Sequence, residues 1–247
     1  MSSPPDIRKL TTPQELFEAA AEEVVRAANQ AVAQRGRFTL ALSGGSTPKN
    51  LYTLLATNAR TSLPWDRTYF FWSDERYVPP SDPESNYRMA EEAMLSKVPV
   101  AASNVFRVPT ENPDAATAAE AYEQTLRKFF TVEAGQLPRF DLILLGMGPD
   151  GHTASLFPGH AELEERSRWV VGVREAGLAP FVPRVTLTFP ALASTREMLF
   201  LVSGHSKQEI MTSVLSKTDL PATRAYAEGN LVWLVDRDAA PEQRDVA

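Results

Sequence analysis

Residues 140–159, FDLILLGMGPDGHTASLFPG, constrain the fold of this chain more than any other stretch. The run DLILL at 141–145 lacks the alternation of a half-exposed strand. It reads as a strand buried on both faces, the kind found in parallel sheets covered by helices. The run stops at glycines. In open α/β sheets ligands sit outside the carboxyl ends of the strands, so the turn after residue 145 is where reactive groups belong. There Gly146, Gly148 and Gly151 let backbone N–H groups approach a ligand closely. The turn also spells the dinucleotide fingerprint, glycines at 146, 148 and 151. That motif opens a full crossover helix, whereas Pro158 and Gly159 close this segment after a short helix expected at 153–157. His152, delivered by Asp150 and Gly151 at a strand end, is the candidate proton-transfer group. His160 and His205 lie in polar loops and read as ordinary surface residues.

Two further strand ends carry polar groups. Residues 38–42, FTLAL, form a strand that turns through Ser43, Gly44, Gly45, Ser46, Thr47 and Pro48 into a helix expected from about Lys49. Two glycines free successive N–H groups, the hydroxyls add donors, and Pro48 suits a first helical turn. A helix N-terminus carries partial positive charge and unpaired donors, so a phosphate fits there. No Gly-Lys-Ser/Thr ends the loop, which argues against a nucleotide. The strand at 68–72, TYFFW, ends in Asp74, Glu75 and Arg76. In a parallel sheet these three strand ends converge on one face.

Elsewhere, Thr12 and Pro13 open a helix ending near Gly36. Helical periodicity covers 86–97 and 114–132, around a short strand at 105–108. Strands are expected at 169–173, 185–189, 198–202 and 231–235, with helices at about 190–194 and 206–215. The pattern is that of a single α/β domain, layered αβα, over residues 1–247. Arg184, opening a strand after Pro183, and Lys207, just after a Ser-Gly turn, are cations placed to serve an anionic ligand.

Composition removes several alternatives. Lys plus Arg number 25 against 31 Asp plus Glu, a net charge of −6, which argues against nucleic acid or an anionic membrane as partner. With no cysteine there is no thiol nucleophile, disulfide or zinc-thiolate site. No Gly-x-Ser-x-Gly elbow occurs either. No signal-peptide pattern or spanning apolar run is found, so a cytoplasmic protein is expected. Neither metal nor cofactor is expected, because no metal-ligand spacing is present.

Taken together, LALSGGSTP, FFWSDERYVPPSDPESNYRM, FDLILLGMGPDGHTASLFPG and PRVTLTFPAL resemble, in order and nearly end to end, the 6-phosphogluconolactonases. That group shares a superfamily with the glucosamine-6-phosphate deaminases. The resemblance implies a Rossmann-like three-layer αβα fold with a mostly parallel central sheet. It also implies metal-free hydrolysis of 6-phospho-D-glucono-1,5-lactone by a cytoplasmic enzyme, expected to be a monomer. It further implies that His152 handles the proton of the attacking water, with Asp150 in the same constellation, and that Arg76 contacts the lactone. Ser43, Gly44, Gly45, Ser46, Arg184 and Lys207 would surround the phosphate. Thr47, Asp74, Glu75, Gly148 and Gly151 complete the expected binding set. A lactone is already an activated ester and needs no covalent nucleophile. Arg76 or a glycine-loop N–H would stabilise the tetrahedral oxyanion. A deaminase or a sugar-phosphate sensor would share the phosphate loop. The first needs an extra carboxylate base, and the second usually adds a DNA-binding module.

Overall fold

Strands apolar on both faces must be covered on both, and the computed structural model, which describes residues 5–58, 62–133 and 135–241, shows how this chain does so. In chain order the elements are β1 (Asp6–Leu10), α1 (Pro13–Arg35), β2 (Phe38–Leu42), α2 (Ser46–Thr57), β3 (Thr68–Trp72), β4 (Asp74–Arg76), α3 (Asn86–Ala93) and α4 (Ala115–Phe130). They continue with β5 (Leu142–Leu145), β6 (Val170–Val173), β7 (Arg184–Leu187), α5 (Phe189–Ala193), β8 (Glu197–Val202), α6 (Gln208–Leu215), α7 (Pro221–Arg224) and β9 (Asn230–Asp236). Short 3₁₀ turns add to the connections.

Six strands form one parallel sheet in the order β1-β9-β8-β5-β2-β3, flanked by helices in the expected αβα manner. β5 lies at its centre and is buried along its whole length. α1 packs against α2 and lies along β2, β8 and β9. Its sequence sets both of its ends. Thr12 accepts a hydrogen bond from the Glu15 N–H, Pro13 occupies the first turn, and Gly36 closes the helix at φ 73°. The buried face of α1 is small, with Ala20, Ala21, Ala27, Ala28 and Ala31, so the helix approaches the sheet closely.

The chain reverses its direction across the sheet at β2. β3 continues to one edge, while β5, β8 and β9 extend the sheet the other way. A crevice therefore opens between the carboxyl ends of β2 and β5, the topological switch point where α/β proteins bind ligands. Buried tyrosines seal the last rungs there. Tyr52 of α2 donates its hydroxyl to the Ser43 carbonyl at 2.8 Å and accepts the Ser43 N–H at 3.0 Å. Tyr122 of α4 does the same for Trp72, at 3.2 and 2.8 Å.

Several expectations change. The short strand at 105–108 does not form. Val105 makes only an isolated bridge with Phe70, and the side chain of Phe106 stacks on Phe71 at 5.0 Å, so packing rather than a ladder fixes this segment. The helix expected at 153–157 is instead a turn, with an isolated bridge between Thr153 and Leu156 and Ala154 at φ 48°. α2 begins at Ser46 rather than near Lys49, because Gly45 at φ 106° already turns the chain into it. β1 and α7 were not anticipated. β4, β7 and β6 leave the main sheet to form a second, antiparallel one, so residues 74–76 are a separate strand rather than the polar end of the strand at 68–72. No helix among the described residues is long and apolar enough to cross a membrane.

Candidate active site

A cavity of about 250 Å³ occupies the crevice, bounded by the loops after β2, β5 and β8, by β4 and β7, and by Leu178 and Ala179 of the loop before β7. Ser43, Gly44, Gly45, Ser46, Thr47, Asp74, Arg76, Gly148, His152, Arg184 and Lys207 all line it, so the three anticipated strand ends converge. Three of the anticipated residues do not line it: Asp150, Glu75 and Gly151.

Asp150 reaches the cavity through His152. Its Oδ1 lies 2.6 Å from His152 Nδ1 and also accepts the His152 N–H at 3.2 Å. Burial alone would raise the Asp150 pKa. The hydrogen bond and charge of His152 outweigh it and hold the carboxyl below its ordinary range. An ionised carboxylate only accepts, so in the neutral imidazole the proton sits on Nδ1 and the lone pair on Nε2. That nitrogen has no hydrogen-bond partner among the described residues. The close fit depends on Gly148, where a Cβ would stand 2.1 Å from both Nδ1 and Cε1 of His152. The Phe157 ring supports the imidazole with centroids 4.7 Å apart.

Glu75 is turned away from the cavity and 2% exposed. Its carboxylate accepts N–H bonds from Arg76, Asn86 and Tyr87 at 2.7, 2.7 and 2.8 Å and caps the start of α3. Burial nevertheless pushes its pKa up to about 7. The alternation of β4 accounts for this, since successive side chains of a strand point to opposite sides. Asp74 and Arg76 face the cavity and Glu75 faces the core. Gly151 is likewise structural. At φ 80° it packs under Leu220, and its carbonyl accepts the Ala222 N–H at 2.9 Å.

The phosphate-type loop is built as its sequence suggests, with one change. The Ser43 N–H is spent on Tyr52, leaving the hydroxyl, which is buried and has no partner. α2 has no side-chain cap and no acidic residue in its first turn. Its opening amides therefore keep their donors and the positive end of the helix dipole faces the cavity. Arg76, Arg184 and Lys207 add three cations to the lining, against one carboxylate, Asp74. Arg184 is 5% exposed and donates to the Pro180 and Val182 carbonyls at 2.8 and 3.2 Å. Burial lowers the pKa of both Arg184 and Lys207. The Lys207 ammonium has no hydrogen-bond partner among the described residues, so an anion would relieve its desolvation. Asp74 accepts from Ser155 Oγ at 2.7 Å and Arg76 donates to the Glu84 carbonyl at 2.7 Å, which fixes both side chains.

Asn86 and Ser203 also line the cavity and were not anticipated. Asn86 Nδ2 donates to the Asp74 carbonyl at 3.0 Å, and its Oδ1 lies so close over Gly44 that a Cβ there would meet it at 2.0 Å. The sequence carried a weak signal for Asn86, an amide directly after the capping residue Ser85 and close to the charged strand end. Ser203 is held by a 2.5 Å bond to Asp236 and had no such signal.

Among family models, that described as glucosamine-6-phosphate isomerases/6-phosphogluconolactonase matches residues 11–233. A 6-phosphogluconolactonase of Synechocystis sp. is 42% identical over 97% of this chain and 99% of its own length. A chloroplastic 6-phosphogluconolactonase of Arabidopsis thaliana is 41% identical over 84% of this chain and 66% of its own. The crystal structure of 6-phosphogluconolactonase from Thermotoga maritima superposes with a TM-score of 0.83 at 34% identity, covering 95% of this chain and 100% of that one. That of Leishmania guyanensis gives a TM-score of 0.86 at 28% identity, covering 99% and 100%. A monomeric glucosamine-6-phosphate deaminase, 21% identical with a TM-score of 0.80, shares the fold. The chain belongs to the glucosamine-6-phosphate isomerase/6-phosphogluconolactonase family.

Proposed function

We propose that this chain hydrolyses 6-phospho-D-glucono-1,5-lactone to 6-phospho-D-gluconate, with His152 as the general base. One observation carries the reading. A histidine whose Nδ1 is bonded to Asp150 lines the same cavity as an uncapped helix N-terminus, Arg184 and Lys207. The identity to named 6-phosphogluconolactonases over nearly the whole chain supports it independently.

The chemistry follows from the positions. The phosphate is held by the amides opening α2, the hydroxyls of Ser43, Ser46 and Thr47, and the cations Arg184 and Lys207. Water attacks the lactone carbonyl carbon as His152 Nε2 takes its proton, and Asp150 steadies the imidazolium through Nδ1. The tetrahedral oxyanion collapses with cleavage of the bond to the ring oxygen. His152 returns the proton to that oxygen, leaving a hydroxyl and a carboxylic acid, which then ionises. Arg76, fixed by Glu84, is the side-chain cation placed to balance the developing oxyanion. The reaction is assigned to an aqueous compartment such as the cytoplasm, with which the net charge of −6 is consistent.

The test is turnover of freshly generated 6-phosphogluconolactone, corrected for spontaneous hydrolysis, in the wild type and His152→Gln. Ammonia release from glucosamine 6-phosphate without lactone hydrolysis would overturn the assignment.

A further inference from the structure

At the opposite end of the main sheet, where its strands begin, a second cleft of about 210 Å³ is lined by three arginines from three separate elements. Arg35 comes from the last turn of α1, Arg139 from the segment leading into β5, and Arg196 from the residue before β8. Two carboxylates share the cleft, and both are already engaged. Asp141 Oδ2 accepts from the N–H and hydroxyl of Thr39 at 2.8 and 2.9 Å, and its Oδ1 accepts from Arg35 Nε at 3.0 Å. Glu197 is bonded to Arg26.

The cationic groups are left short of partners. Arg139 has no ion pair or hydrogen bond among the described residues. Arg196 Nε is buried without a hydrogen bond, 3.4 Å from the saturated Asp141. Burial, followed by the charges of Arg35 and Arg139, holds the Arg196 pKa below its ordinary value, and Asp141 only partly offsets this. The Arg196 side chain is 37% exposed, so water reaches part of it but not Nε. Here the backbone around Arg196 is fixed at both ends. Its N–H donates to the Phe140 carbonyl and its own carbonyl accepts the Asn230 N–H. Gly229 sits so tightly that a Cβ would come within 1.8 Å of the Arg196 carbonyl oxygen. Gln30, Gln34 and Asn230 complete the walls with neutral polar groups.

We propose that this cleft is a second anion site, separate from the catalytic cavity, which takes a small oxyanion of the phosphate class between Arg139 and Arg196. The planar guanidinium groups suit a tetrahedral oxyanion, which can accept from two N–H donors of one fork at once. The occupant is either free phosphate or the phosphate group of a small monoester.

Titration of the full chain with inorganic phosphate, read on the arginine Nε–H signals in proton–nitrogen correlation spectra, tests this directly. The signals of Arg139 and Arg196 are expected to move saturably, in the wild type and equally in Lys207→Ala, which weakens only the catalytic cavity. Arg139→Gln should weaken binding by about tenfold or more, the effect of one lost charge-assisted hydrogen bond, while lactone hydrolysis and circular dichroism stay unchanged. Arg139 is exposed and has no partner among the described residues, so this variant tests binding without risking the fold. Tighter binding of glycerol 3-phosphate than of phosphate would assign the site to a monoester, and equal binding would assign it to the free ion. Shifts no larger than those produced by chloride at equal ionic strength, or binding unaffected by Arg139→Gln, would overturn the proposal. Because the readout lies on the cleft arginines, its failure leaves the lactonase assignment untouched.

Discussion

Replacing Gly148 with alanine should disable catalysis without touching a reacting group. The added Cβ would stand 2.1 Å from Nδ1 and Cε1 of His152 and 2.6 Å from Oδ1 of Asp150, where ordinary contact begins at 3.4 Å. Something must retreat by more than an ångström. The obstructing atoms belong to side chains, and Gly148 has no positive φ, so the ring moves and the backbone stays. Moving the ring breaks the Asp150 hydrogen bond, a charge-assisted contact worth about 1.5 to 3 kcal/mol to the pair. It also displaces Nε2 by a distance at which misplacement alone can cost ~10²-fold in rate. The expected loss in kcat is therefore about 10²- to 10³-fold, inside the range for a general base. The control is Gly146→Ala, where a Cβ meets no atom within 4 Å. Steady-state kinetics should be combined with proton spectra, in which the hydrogen-bonded imidazole signal should vanish in Gly148→Ala and persist in Gly146→Ala. If Gly148→Ala kept wild-type kcat while folded, the Asp150–His152 geometry would not be what positions the base.

His152→Gln should lower kcat by about 10²- to 10⁴-fold with a much smaller change in KM, in the same lactone assay. Lys207→Ala should raise KM more than it lowers kcat, because a phosphate contact made equally to ground and transition states is uniform binding; unphosphorylated gluconolactone should be a poor substrate for the same reason. Tyr52→Phe strips a partner from both the N–H and the carbonyl of Ser43 and should cost about 2 to 4 kcal/mol by urea unfolding. Glu75 has a folded pKa of about 7 against 4.5 for the free side chain, so its stabilisation is complete below 4.5 and lost as pH rises through 7. Unfolding free energies at about pH 5 and pH 8 should differ through this group by at most about 3 kcal/mol, and Glu75→Gln should narrow the gap.

The parallel sheet was legible in the sequence because its central strands β2, β5 and β8 are buried on both faces and are almost wholly apolar, with Thr39 and Glu197 as the polar exceptions. That ligand-binding groups lie outside the carboxyl ends of β2 and β5 followed from the glycines that end both strands, but the switch point depends on the strand order, which only the fold reveals. The convergence of Ser43, Arg76 and His152 could be anticipated, since one rule about strand ends covers all three, whereas Lys207 was read only as a cation following a Ser-Gly turn. Glu75 was expected in the binding set with Asp74 and Arg76 because all three charges follow one strand end, and only pairing with β7 reveals the alternation that buries the middle one. The segments at 105–108 and 153–157 show the converse: their apolar residues are spent on tertiary packing, which local periodicity cannot distinguish from regular structure. β1 was missed because its charged residues, Asp6, Arg8 and Lys9, belong to an exposed edge, where polarity guards against pairing with another chain.

The two tyrosines that finish β2 and β3 bear on the energetics of ligand binding. A phenol hydroxyl is donor and acceptor at once, so it can stand in for the whole next rung of a ladder in a space too small for ordered water. The backbone N–H and carbonyl of Ser43 and of Trp72 are thus satisfied whether or not anything occupies the crevice. Arrival of a phosphate has no strand end to reorganise there, and its departure leaves no backbone group stranded. The binding surface is preorganised, so ordering costs that a floppy loop would charge against affinity are met during folding instead.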